Sequence, residues 1–326
     1  MNNKKTTIAS AAGVSMILSV FIFIAFYFSA SFVLPRHMFE TSQYYVVAIF
    51  LELIPLSIGV IAYLILTKQG ISDIIVFSKP QAKMNRDKMF WLVVLAAVMA
   101  IVGNYFVKIL LVGWTWFLET VGYRVSEASL PTVDNFQVFI VALVSIALVP
   151  AIFEEMIFRG ILQKGILRNA KPRTAILISS VLFMLMHLSV ESMPFTFIMG
   201  CILGYLAYRT GSIIPSMMLH FVNNSIAVIS LYVLELNKMN NPLLEEVKDI
   251  SEFNSFEIMI VLIIAGISAC LLALTLWGYK KLSKAPPENP YLQPMKPTAV
   301  TLIVMSGCIL AFVTAFISIL QNIFLA

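Results

Sequence analysis

Charge is scarce in this chain. Only 12% of its 326 residues are Asp, Glu, Lys or Arg, against about 25% in soluble globular domains. With 60% hydrophobic residues and a mean hydropathy of +0.92, this shortage excludes a large soluble core and indicates an integral membrane protein. Cysteine is also rare: Cys201, Cys270 and Cys308 lie in apolar runs at no pairing interval. They read as small hydrophobic packers, with neither a disulfide framework nor a cysteine zinc site. No Lys/Arg cluster interleaved with aromatics suggests a nucleic-acid groove, and there is no internal repeat. The N-terminal apolar run from Ile8 to Leu34 is too long for a signal-peptide core and lacks an Ala-x-Ala-like cleavage site, so it is expected to be a retained first span.

What remains is long apolar segments. A span needs about 20 apolar residues, and on that rule the chain is an all-α, polytopic membrane helix bundle of about nine transmembrane helices. They are expected over Ile8–Val33, Tyr44–Thr67, Met89–Val112, Phe136–Leu167, Thr174–Val190, Phe195–Tyr208, Ile213–Val233, Phe256–Tyr279 and Thr298–Leu325. The segment Phe195–Tyr208 is short enough to be tilted or re-entrant, and the last turns of Phe136–Leu167 are expected to project into water. Basic residues concentrate in alternate connections: Lys4 and Lys5, then Lys68, Lys79, Lys83, Arg86 and Lys88, then Lys164, Arg168, Lys171 and Arg173, then Lys280, Lys281, Lys284 and Lys296. The intervening connections are acidic, with Glu119, Glu127 and Asp134, then Glu235, Glu245, Glu246, Asp249 and Glu252. The positive-inside rule then puts the N-terminus in the cytoplasm. Trp114, Trp116 and Trp277 sit where interfacial aromatics belong. The proline-rich stretch 285–297 reads as an irregular linker. Three parts follow: N-terminal helices over 1–135, a functional core over 136–233 and C-terminal helices over 234–326.

Against this background, Glu154, Glu155 and Arg159 stand out. An ionisable residue in a membrane helix costs at least ~2.5–3.5 kcal/mol on insertion scales, so three close together need partners and usually a task. Glu155 and Arg159 are four apart and share a helix face, which suits an ion pair; Glu154 is rotated by about 100° and free to meet something else. His187 falls near the end of one apolar segment, and His220 and Asn224 share a face of another. Such a pair of hydrogen-bonding side chains suits a developing oxyanion. Gly200 and Gly204 form a Gly-x-x-x-Gly pair that allows close helix approach, and Thr210-Gly211-Ser212 makes a turn. Taken singly, a buried Glu–Arg pair reads equally well as a clamp between helices, and a lone membrane histidine as an interhelical hydrogen-bond partner. Glu52, in mid-span near Pro55, lines a cavity or caps the backbone that proline opens; the second is the preferred reading. His37 is expected to be solvated, Lys108 to snorkel, and Met184, Met186, Met217 and Met218 to pack.

In order along the chain, Glu154-Glu155-x-x-x-Arg159, Phe183-x-x-x-His187 and His220-x-x-x-Asn224 resemble the three defining motifs of the CPBP intramembrane protease family. That family, also called Abi, contains the CAAX prenyl endopeptidases and bacteriocin-processing enzymes. The resemblance covers about residues 136–233. It implies an intramembrane endopeptidase in which Glu154 and His187 bind and activate a water, His220 and Asn224 hydrogen-bond the oxyanion, and Glu155 and Arg159 shape the site. The implied substrate is a membrane-associated, lipid-modified or prenylated protein or a peptide precursor. The short loops suit a bacterial plasma membrane. No cofactor is favoured; a zinc-dependent version would use Glu154, His187 and His220 as ligands. The competing readings are a non-enzymatic immunity or scaffold protein and a proton-coupled transporter, the latter lacking the repeats or broken helices it should have.

Overall fold

The computed structural model describes residues 2–76, 86–125, 130–240, 255–284 and 295–324. Of the features read above, Lys79, Lys83, Glu127, the acidic group from Glu245 to Glu252 and most of the proline-rich stretch lie outside these residues. The described chain is all-helical. In order it forms α1 (Asn2–Val33), the single turn α2 (His37–Glu40), α3 (Gln43–Thr67), α4 (Ile71–Ile75) and α5 (Arg86–Thr120). There follow α6 (Phe136–Leu167), α7 (Pro172–Met186), α8 (Met193–Thr210), α9 (Ile214–Asn240), α10 (Ser255–Leu282) and α11 (Pro297–Phe324). Helix starts follow local chemistry. Asn135 caps α6 by accepting the Val138 N–H at 2.9 Å, and proline occupies the first turn of α7 and α8, where its missing N–H costs nothing.

Among the described residues, seven helices are long and apolar enough to cross a membrane: α1, α3, α5, α6, α9, α10 and α11. The sequence expectation of about nine spans therefore divides. Each of the nine segments carries a helix, but α7 stops at Met186, four residues short of the expected Val190; its 15 residues, about 22 Å at 1.5 Å per residue, fall short of a ~30 Å hydrocarbon core. The other shortfall is α8, with 18 residues.

Helix α6 is the axis of the bundle, with α1, α3, α7, α8 and α9 packed on it. Close approach depends on small residues, as expected where lipid is as apolar as the side chains. Ser15 on α1 donates to the Gly59 carbonyl at 2.8 Å, and a Cβ at Gly59 would collide with Ser19. Two expectations fail at the end of α6. Its last turns do not project into water: Gln163, Lys164 and Ile166 are buried, because Gly165 lets Ala12 in and Gly160 lets Ile74 in. Lys164 is thus no loop charge; its Nζ donates to the Asp73 carbonyl at 2.6 Å and to Gln69 Oε1 at 3.2 Å. Trp114, read as an interfacial anchor, donates its Nε1–H to the Val190 carbonyl at 2.9 Å.

Candidate active site

The site is built on a helix that is not uniformly α. Within α6, Leu143–Leu148 and Met156–Gln163 are π-helical, a geometry that concentrates at functional positions. Between them lies Val149–Glu155. Pro150 has no N–H to give to the residue four back, Ile146. The Ile146 carbonyl is taken up instead by the Asn224 side chain, whose Nδ2 donates to it at 2.9 Å. Asn223 Nδ2 in turn donates to Asn224 Oδ1 at 3.1 Å. Asn224 is therefore held by both ends of its amide, with one N–H left over.

The carboxylates come next along the same helix. Arg159 Nη1 lies 2.8 Å from Glu155 Oε1, with both side chains fully buried. Arg159 Nη2 donates to the Gly200 carbonyl at 3.3 Å, and the guanidinium carbon lies 4.3 Å from the Phe183 ring centroid, within cation–π range. Gln163 repeats the pattern one turn on, donating to the Gly204 carbonyl at 2.9 Å. The Gly-x-x-x-Gly pair thus does more than allow packing. It opens two backbone oxygens to the polar face of α6, and a Cβ at Gly204 would stand 2.7 Å from Gln163 Oε1.

His220 on α9 joins the two acids. Its Nδ1 is 3.2 Å from Glu155 Oε1 and its Nε2 is 3.8 Å from Glu154 Oε2. A carboxylate facing Nδ1 fixes the ring and turns Nε2 towards Glu154. Glu154 Oε2 and Glu155 Oε2 are buried and have no hydrogen-bond partner, so each retains acceptor capacity. His187 stands apart from this knot. It follows the last residue of α7 and is exposed, with Nδ1 2.9 Å from the Phe183 carbonyl. If Nδ1 carries the donated proton, Nε2 is the acceptor nitrogen. Its link to the rest is Phe183, whose ring lies 4.9 Å from His187 and 5.8 Å from His220, centroid to centroid.

The expected residues therefore gather unequally. Glu154, Glu155, Arg159 and His220 form one buried cluster, Asn224 is pinned to the same helix, and His187 borders them across Phe183. His220 meets both glutamates. Among the described residues, no group of three His, Cys, Asp or Glu is placed to hold a metal ion. Two contributors were undervalued in the sequence. Phe183 read only as the first letter of a motif, yet it touches Arg159, His187 and His220. Glu52 was assigned to capping near Pro55; instead its Oε2 has no hydrogen-bond partner and it lines a cavity. The signal for it, an acid in mid-span, was visible.

Residues 136–226 match the family described as Type II CAAX prenyl endopeptidase Rce1-like. This is a protease family, and the matched segment, which carries all three motifs, is the CPBP resemblance seen in the sequence. No curated protein and no solved structure gives a significant match.

Proposed function

We propose that this protein is an intramembrane endopeptidase that hydrolyses a peptide bond of a membrane-associated or lipid-modified protein or peptide. The observation that carries the reading is Glu154 Oε2, buried, without a hydrogen-bond partner and 3.8 Å from His220 Nε2. That separation suits two groups sharing one water. Glu154 acts as general base, a role worth about 10²–10⁴ in rate. Water oxygen attacks the scissile carbonyl while its proton passes to Glu154, and that proton then goes to the leaving amine. The acceptor Nε2 of His187 serves the same water from across Phe183. The uncommitted N–H of Asn224 serves the oxyanion, and His220, with Nδ1–H given to Glu155, adds its Nε2–H in the imidazolium form. Glu155 and Arg159 hold the ring of His220 in place. No step is routed through a metal.

The same reading takes the chain as a multi-pass protein of a bacterial plasma membrane with the N-terminus in the cytoplasm. The alternation of basic and acidic connections supports it.

The test is proteolysis of a mixed peptide library by detergent-purified protein, with prenylated Cys-terminal tails and unmodified precursors both present. Wild type should cleave a subset and Glu154→Ala none of it, with and without a zinc chelator. Cleavage retained in a well-folded Glu154→Ala would overturn the mechanism. A well-folded wild type that cleaves nothing would turn the reading towards a non-enzymatic partner protein.

A further inference from the structure

Beyond Glu154 and Glu155, the membrane helices carry an acid that the reaction above does not use. Glu52 lies nine residues into α3, about 14 Å along the helix at 1.5 Å per residue. That helix packs on the Val149–Glu155 stretch of α6, which carries Glu154. The Glu52 Oε2 is buried and accepts no hydrogen bond.

Glu52 also lines a cavity of about 630 Å³. Aromatic residues of α1 and α3, among them Phe23, Tyr27 and Tyr44, make its wall, and Arg36 and Glu40 line it beside α2. A volume of this size suits several residues of extended peptide or one lipid-like group. The charge pattern discriminates between them. Glu52 contributes a buried carboxyl oxygen with no partner, and among the described lining residues the only cation is Arg36. Arg36 is already 3.6 Å from Glu40, with both side chains largely exposed, so it does not neutralise Glu52. A buried carboxylate without a counter-charge is expensive, and a cation placed against it is worth far more than at a surface.

We propose that this cavity receives the substrate and that Glu52 is a specificity-determining residue that takes a basic side chain, Lys or Arg, of the peptide close to the scissile bond. The substrate's cation supplies the counter-charge that the cavity lacks, and by pairing with Glu52 it brings the adjacent peptide bond to Glu154. The inference rests on the protease reading above and adds a substrate class to it: peptides with a basic residue beside the cleaved bond.

The test compares paired peptides that differ only by Lys against norleucine at each position flanking the bond cleaved in the library. Wild-type protein should favour the lysine peptide at one such position by about 10–100-fold in kcat/KM, the worth of a hydrogen bond to a charged group, and the difference should fall mainly on KM. In Glu52→Gln that ratio should collapse towards one, while Glu52→Asp, which keeps the charge, should retain a preference. No preference for lysine at any flanking position in wild type would overturn the inference without recourse to any variant. So would a preference that survives intact in Glu52→Gln. Either result leaves the protease reading standing as long as wild type cleaves and Glu154→Ala does not. If wild type cleaves nothing, it is the protease reading that fails, and this inference falls with it.

Discussion

Replacing Arg159 with methionine removes a charge from the centre of the bundle while keeping an unbranched side chain of similar reach. Three interactions go with it: the 2.8 Å pair with Glu155, the 3.3 Å bond to the Gly200 carbonyl and the ring contact at 4.3 Å with Phe183. What remains is a fully buried Glu155 whose other partner is His220 at 3.2 Å. Breaking a buried pair on one side costs about 3–5 kcal/mol, because the surviving charge has lost its partner. The upper part of that range is expected, since a desolvated cation–π contact adds up to about 2 kcal/mol. Glu155→Gln strands Arg159 in the same way. The double variant leaves no uncompensated charge, so its cost should fall short of the sum of the singles by close to 3 kcal/mol, the top of the usual coupling range. Denaturation by SDS at fixed lipid-to-detergent ratio, followed by helical circular dichroism, reads all four corners of the cycle. A loss below about 1 kcal/mol in Arg159→Met, or additivity within about 0.5 kcal/mol, would show that the pair is not the clamp described. The assay also separates roles, because Glu154→Ala, which leaves the Glu155–Arg159 pair intact, should lose activity far more than stability.

Further outcomes are expected from the same contacts. Gly204→Ala puts a methyl group against Gln163 Oε1 and should cost about 1–3 kcal/mol in the same denaturation assay. Asn224→Ala strands the Ile146 carbonyl that Pro150 left free, for about 1–3 kcal/mol of stability; on the proposed mechanism it also lowers kcat by about 10²–10³, measured at saturating peptide. Trp114→Phe removes the bond to the Val190 carbonyl, at about 0.5–1.5 kcal/mol. Hydrogen exchange should show faster opening around His187 to Ser192 and no change in the first turns of α6.

Much of the fold and part of the site were legible in the sequence because they depend on local spacing. The four-residue interval of Glu155 and Arg159 gives their ion pair, Gly200 and Gly204 give the close approach of α8, and Gly211, at φ 66°, gives the turn before α9. The rest depends on tertiary partners that no interval encodes. That His220 lies between both glutamates follows from how α9 crosses α6. The burial of Lys164 follows from α1 and α4 closing over Gly165 and Gly160. Glu52 was misassigned because Pro55 offered a local explanation, whereas its carboxyl lines a cavity formed with α1 and α2. The two π-helical stretches carry no compositional mark beyond Pro150 after the first.

Those stretches have a consequence for how this gene can change. A wide turn holds one residue more than an α turn, so deleting one residue between Met156 and Gln163 would let the helix relax to ordinary geometry and remain a good membrane span. The wide turn and the α turn close nearly the same rotation, so residues beyond the stretch would keep their faces while those inside it change theirs. Depending on where the residue is lost, Arg159, Gly160 or Gln163 would be deleted or moved off its partner. Hydropathy would register no damage. Length polymorphism should accordingly be tolerated in the connections and absent from this helix, where one codon more or less dismantles the site while sparing the span.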